Sequence, residues 1–69
     1  MSKRQFVNET LYFTLYDAID NFIDVRYHQE GGLEAIIIVM KSGEYWVNVT
    51  GDSLIAIVKD VASFIIRRL

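Results

Sequence analysis

Apolar residues in the first third of the chain recur at the spacing of one helix face. At 100° per residue, one arc contains the apolar residues Leu11, Leu15, Ala18, Ile19, Phe22, Ile23 and Val25. The opposite side is polar and carries Glu9, Thr10, Thr14, Asp17, Asp20, Asn21 and Asp24. This amphipathic pattern predicts a helix over residues 3–27.

Signals at both ends of this region support the same limits. Ser2 and Gln5 match a capping box, with Asn8 as a second possible start, and no Gly or Pro interrupts the chain before Gly31. A strand over residues 10–16 is the competing interpretation, because that stretch is aromatic and alternates. We prefer the helix because the helical period continues as far as Val25.

Residues 33–41 and 44–50 predict two strands. The first stretch is rich in β-branched residues, and the second alternates between apolar and polar positions. A two-residue hairpin turn at Ser42-Gly43 would set Ile38 opposite Val47. The expected core face then carries Ile36, Ile38, Met40, Tyr45, Val47 and Val49. The other face carries Ala35, Ile37, Val39 and Trp46.

A second helix is predicted over residues 53–68, with Asp52 as its N-cap. Its apolar positions cover an arc of roughly 200°, which is more than one sheet face would bury. They are Leu54, Ile55, Ile57, Val58, Val61, Ala62, Phe64, Ile65, Ile66 and Leu69.

These elements predict an α+β fold in which residues 1–69 form one domain. Its order is α-β-β-α, an antiparallel hairpin packed by two amphipathic helices. If both helices cover one face, Ile37, Val39 and Trp46 remain outside and become candidate self-association residues in a homodimer. If instead one helix covers each face, the same three residues belong to the core of a monomer.

Composition limits the chemistry that a chain of 69 residues can carry. A domain of this size buries only about 60% of its unfolded surface and needs a supplement to its core. The chain has no Cys, and His28 is its single His, so we expect no disulfide, metal or other cofactor. No apolar run is long enough for a membrane span and no secretory signal is evident, so the expected location is cytoplasmic.

The candidate contacts for a partner protein lie on the polar side of the first predicted helix. Asp17, Asp20 and Asp24 recur there at helical spacing, and Phe13 precedes them by one turn. Such an acidic stripe with one aromatic residue suits a basic partner surface. It also fits a plain solvated helix face. No nucleophile or base accompanies these carboxylates, so we expect the protein not to be an enzyme.

The stretch YWVNVTGDSLIAIVKDV, residues 45–61, resembles short uncharacterised proteins of phages and other mobile elements of Gram-positive bacteria. That resemblance implies an accessory role carried out by binding another protein, and it assigns no functional residue. We therefore predict a non-enzymatic protein–protein interaction module, a small homodimeric accessory or inhibitor protein.

The alternative prediction is a dimeric nucleic-acid-associated regulator. It would use the two basic doublets near the termini, Lys3-Arg4 and Arg67-Arg68. The formal net charge of −2 gives little electrostatic support for it, because tight nucleic-acid binding depends on clustered Lys and Arg.

Overall fold

The computed structural model describes residues 1–68, and Leu69, placed in the predicted apolar arc, lies outside them. An N-terminal helix is built from three consecutive segments, Lys3–Gln5, Phe6–Leu11 and Tyr12–Ala18. Three strands follow, which we number β1 (Phe22–Glu30), β2 (Leu33–Met40) and β3 (Gly43–Asn48). A C-terminal helix spans Leu54–Arg68. The α+β class, with helices before and after an antiparallel sheet, is confirmed.

The N-terminal helix starts where the capping pattern predicts and contains one widened segment. The Gln5 N–H donates to the Ser2 side chain at 3.1 Å. Phe6–Leu11 has π-helical turns, and the Tyr12 N–H reaches back five residues to the Val7 carbonyl. The wider turn keeps Val7, Leu11 and Leu15, four residues apart, on one buried face.

The prediction of one helix over residues 3–27 is wrong in its second half. The helix ends at Ala18, Ile19 is extended, and Phe22–Glu30 forms β1. A bulge explains the error. Between Phe22 and Asp24 the pairing with β2 shifts, which leaves Ile23 as an extra residue. Phe22 and Val25 are therefore buried three residues apart, and this spacing imitates a helical repeat.

The sheet is antiparallel, with the strand order β1-β2-β3. Gly31 and Gly32 form the turn between β1 and β2, where Glu30 pairs with Leu33, and so they follow a strand instead of the predicted helix. Gly31 has φ +59°, which a primed hairpin turn requires and other residues rarely adopt.

The predicted register between the last two strands is wrong by two residues, but the predicted faces are correct. Lys41 and Ser42 form the turn, and Gly43 pairs with Met40 at φ +140°. Ile38 therefore lies opposite Tyr45 rather than Val47. Because side chains alternate with a period of two, an even shift leaves every side chain on its expected face.

Both helices pack on the same face of the sheet. Val25, Ile36, Ile38 and Val47 from the strands form one cluster with helical residues from both ends of the chain, among them Leu11 and Val61. Ile36, Ile38 and Ile57 are completely buried. Of the two arrangements considered from the sequence, the structure has the one that leaves the other sheet face without a helix.

The C-terminal helix is capped by Ser53, not by the predicted Asp52. The Ala56 N–H donates to the Ser53 hydroxyl at 3.1 Å. Just before this cap, the backbone passes very close to the first helical turn, since a Cβ placed on Gly51 would lie 2.8 Å from the Ala56 Cβ. A glycine at position 51 therefore allows the helix to start where it does.

We expect Gly51→Ala to lower the free energy of unfolding by about 1–3 kcal/mol, because the added methyl group forces the helix start to move. Gly32→Ala is the matched control, since a Cβ there meets nothing within 4 Å. It should change the stability by less than about 0.5 kcal/mol. Urea denaturation of both variants measures the difference. Equal free energies of unfolding for the two variants would show that the close approach of Gly51 to Ala56 does not affect stability.

Candidate functional site

The C-terminal helix carries an apolar stripe that residues 1–68 leave exposed. Ile55 and Ile66 are 79% and 77% exposed, and Val58 is 45% exposed. Ala62, also exposed, lies between them. Their spacing of three, four and four residues places all four on one side of the helix. We call these four residues the apolar stripe.

The rest of the predicted apolar arc faces the core. Ile57 and Val61 are buried, while Leu54, Phe64 and Ile65 pack partly against the same cluster. The arc is therefore divided between a half that packs on the sheet and a half that faces solvent. This division agrees with the expectation that one sheet face could not bury the whole arc.

A cleft of about 530 Å³ lies between β3 and the polar side of the C-terminal helix. The strand side is formed by Trp46, Val47, Asn48 and Thr50, and the helix side by Lys59, Asp60, Ser63, Phe64, Arg67 and Arg68. We call it the β3 cleft. The apolar stripe and the β3 cleft occupy different flanks of the same helix.

Two sets of contacts fix the walls of the β3 cleft. The Thr50 N–H donates to the Asp60 carboxylate at 2.8 Å, and the Thr50 hydroxyl donates to the same carboxylate at 3.1 Å. The Arg68 guanidinium lies 5.2 Å from the ring centres of both Tyr45 and Phe64. These contacts hold the helix at a set distance from the strand.

The predicted self-association residues lie on the helix-free face of the sheet. Trp46 is 51% exposed, Val39 is partly exposed, and Ile37 is only 8% exposed. The His28 and Trp46 rings meet edge to face at 5.0 Å and cover the middle strand between them. The side chains of this face thus shield much of its apolar surface without a helix.

The predicted acidic stripe does not form. Asp17 lies at the end of the N-terminal helix, Asp20 in the following turn and Asp24 in β1, so the three do not share one helix face with Phe13. Asp24 accepts from the Val25 N–H at 2.8 Å and pairs with Arg26 at 3.3 Å. The stripe depended on the helix continuing to residue 27, and the early end of the helix removes it.

The basic doublets lie at opposite ends of the molecule. Lys3 contacts Glu34 at the start of β2, whereas Arg68 contacts Tyr45 near the turn where β2 ends. Lys3 is also neutralised by its carboxylate partner, 2.8 Å away. The two doublets therefore do not combine into one positive patch within a single chain.

Lys3, Tyr27 and Glu34 form a polar cluster that the sequence analysis missed. The Lys3 ammonium donates to both Glu34 oxygens at 2.8 and 3.1 Å, and the Tyr27 hydroxyl donates to Glu34 as well. Arg4 donates to the Tyr27 carbonyl at 3.3 Å and lies over its ring. In the sequence, this cluster is indicated by Glu34, a single acidic residue at an inward-facing position of an otherwise apolar strand.

The pKa shifts in this cluster argue for a structural role. The hydrogen bond from Lys3, followed by that from Tyr27, lowers the pKa of Glu34 below its usual value. The hydrogen bonds to Glu34 raise the pKa of Lys3 and the pKa of Tyr27 above their usual values. The pKa values of all three groups are thereby shifted further from neutral pH, where a general acid or base would need to titrate.

Within residues 1–68, no group of His, Asp and Glu side chains is arranged to hold a metal ion. No helix in that range is long and apolar enough to cross a bilayer. Comparisons with protein-family models, with curated proteins and with solved structures gave no match to this chain.

We expect the Lys3–Glu34 pair to make the protein sensitive to acid. Because folding lowers the pKa of Glu34 below 4.5, its contribution to stability is present above that pH and is lost as the pH falls through the folded-state pKa. Glu34→Gln should therefore show a shallower loss of unfolding free energy on acidification, measured by urea denaturation between pH 7 and pH 3. Glu9→Gln, at an exposed helical position, should keep the wild-type slope. Identical slopes for wild type and Glu34→Gln would contradict the assignment.

Proposed function

We propose that this chain is a small, non-enzymatic protein–protein interaction module that forms a homodimer through its C-terminal helix. The observation that carries the proposal is the apolar stripe, because Ile55, Val58 and Ile66 expose large aliphatic side chains side by side. Contiguous apolar surface of this kind marks interaction sites on small proteins. The resemblance of residues 45–61 to short uncharacterised phage and mobile-element proteins, which the sequence suggests, would be in keeping with a binding role.

A second copy of the chain suits the stripe because the stripe is nearly symmetric along the helix. Large isoleucines stand at its ends, and the smaller Val58 and Ala62 lie between them. Two such helices in antiparallel order place Ile55 against the partner's Ile66 at each end, about 16 Å apart along the helix. The smaller residues then meet near the two-fold axis, where they permit close approach.

The expected affinity follows from the size of the stripe. Burying one large aliphatic side chain contributes about 2 kcal/mol, and the dimer buries three from each copy. Association costs about 4–15 kcal/mol in lost freedom of motion, so only a modest surplus remains. We therefore expect a weak dimer, with a dissociation constant that is micromolar or higher.

The polar groups support a non-enzymatic role. Among residues 1–68, the cluster with perturbed pKa values is Lys3, Tyr27 and Glu34, and all three pKa values are moved away from the range useful for proton transfer. The nucleic-acid alternative has less support, because Lys3 is paired and the basic doublets lie far apart.

We expect Ile55→Glu and Ile66→Lys, each alone, to shift the dimer toward monomer by about tenfold or more in dissociation constant. Each new charge suits the dipole of the helix end where it stands, so folding should be unaffected. Sedimentation velocity from micromolar to millimolar protein measures the shift. Phe13→Ser, which alters an exposed aromatic residue of the other helix, is the matched control and should leave association unchanged.

The double variant tests the antiparallel arrangement itself. Ile55→Glu combined with Ile66→Lys brings opposite charges together at both ends of an antiparallel pair, so association should partly recover. In a parallel pair the like charges meet and no recovery occurs. A wild-type protein that remains monomeric at millimolar concentration contradicts the proposal. Loss of the dimer in Trp46→Ala or Val39→Asp, but not in the helix variants, would move the interface to the helix-free sheet face.

A further inference from the structure

The outer edge of β3 carries unpaired backbone groups. β3 is the last strand of the sheet, and the Val49 N–H donates to the Glu34 carbonyl at 3.0 Å. Because hydrogen-bonded pairs alternate along an antiparallel ladder, this contact fixes which backbone groups face β2. The backbone N–H and C=O groups of Glu44, Trp46 and Asn48 therefore point away from β2, toward the open edge.

The other edge of the sheet is protected, whereas this one is not. Along β1 the Arg4 side chain binds the outward Tyr27 carbonyl at 3.3 Å, and the bulge at Ile23 distorts the start of the strand. Bulges and covering side chains are the usual means by which proteins block strand addition. β3 has no Pro, Lys or bulge, so its edge is open to another strand.

The cleft beside this edge is positively charged, although the chain as a whole carries a net charge of −2. Lys59, Arg67 and Arg68 line it, and within residues 1–68 none of them forms a salt bridge. The single acid in the lining, Asp60, is engaged by the N–H and hydroxyl of Thr50. The β3 cleft thus offers cationic groups without a carboxylate partner next to unpaired backbone donors and acceptors.

We propose that the β3 edge binds an extended acidic segment of a partner protein as a fourth strand. Side chains of an added strand alternate between the two faces of the sheet. Those on the helix side would bring carboxylates to Lys59 and Arg67, and those on the other side would place apolar groups beside Trp46. The segment recognised therefore alternates acidic and apolar residues, over the roughly 20 Å length of a six-residue strand.

The contact between Thr50 and Asp60 marks the end of the open edge. Thr50 continues the outward-facing series of Trp46 and Asn48, and its N–H is satisfied by a carboxylate at 2.8 Å. The part of the edge that an added strand can pair with therefore ends at Asn48. This binding mode does not depend on the proposed dimer, because the apolar stripe lies on the other flank of the helix.

The test uses a seven-residue peptide in which Val and Glu alternate, blocked at both ends, and the full chain. Trp46 is the single tryptophan and lies on β3 beside the position of the added strand, so its fluorescence reports binding, and amide chemical shifts locate it. We expect saturable binding that weakens with added salt and shifts the Glu44, Trp46 and Asn48 amides. A peptide with Lys in place of Glu, and one N-methylated at alternate positions, should not bind.

Two variants distinguish the contribution of charge to peptide binding from the contribution of strand pairing. Lys59→Glu combined with Arg67→Glu should weaken binding by about tenfold, whereas Arg26→Glu, an exposed charge reversal on β1, should have little effect. Asn48→Pro removes one outward N–H without breaking a bond to β2, and should also weaken binding.

Three results would overturn the proposal. They are an absence of binding by the acidic peptide, equal binding of the N-methylated peptide, and a change in sedimentation of Asn48→Pro at concentrations where the wild type is dimeric. The last result would show that a second copy of the chain, rather than a peptide, occupies the edge.

Discussion

The constraint on which the molecule depends is that both helices cover the same face of a three-stranded sheet. The core forms where Ile36 and Ile38 of the middle strand meet Leu11 from one helix and Val61 from the other. Every other property of the surface follows from this one-sided burial. The far face of the sheet must shield itself with His28 and Trp46, and the helices must expose whatever apolar surface the sheet does not reach.

The sequence predicted the class and the faces better than the boundaries. Alternation placed Ile36, Ile38 and Val47 on the core face, and the structure agrees even though the register differs by two residues. The missing strand has a specific cause, because the bulge at Ile23 puts Phe22 and Val25 on one face at a helix-like spacing. Periodicity depends only on the spacing of the apolar residues, so a bulged strand and a turn of helix can give the same pattern.

The candidate sites were predictable to different degrees. The excess of apolar residues on the last helix was visible as an arc wider than one face, and Ile55 and Ile66 are its exposed part. The cluster of Lys3, Tyr27 and Glu34 joins residues 31 positions apart in sequence, and only the fold brings them together. The prediction of an acidic stripe was wrong because it required the first helix to continue to residue 27, whereas that helix ends at Ala18.

The hydrogen bonds between Thr50 and the Asp60 carboxylate are also relevant to aggregation. An open strand edge can recruit further strands without limit and grow into a fibre. Here the open edge offers only the outward groups of Glu44, Trp46 and Asn48. The turn at Lys41 and Ser42 ends it on one side, and the Asp60 carboxylate ends it on the other. The helix thereby sets the length of the exposed ladder, which limits how many residues of another strand can pair with it.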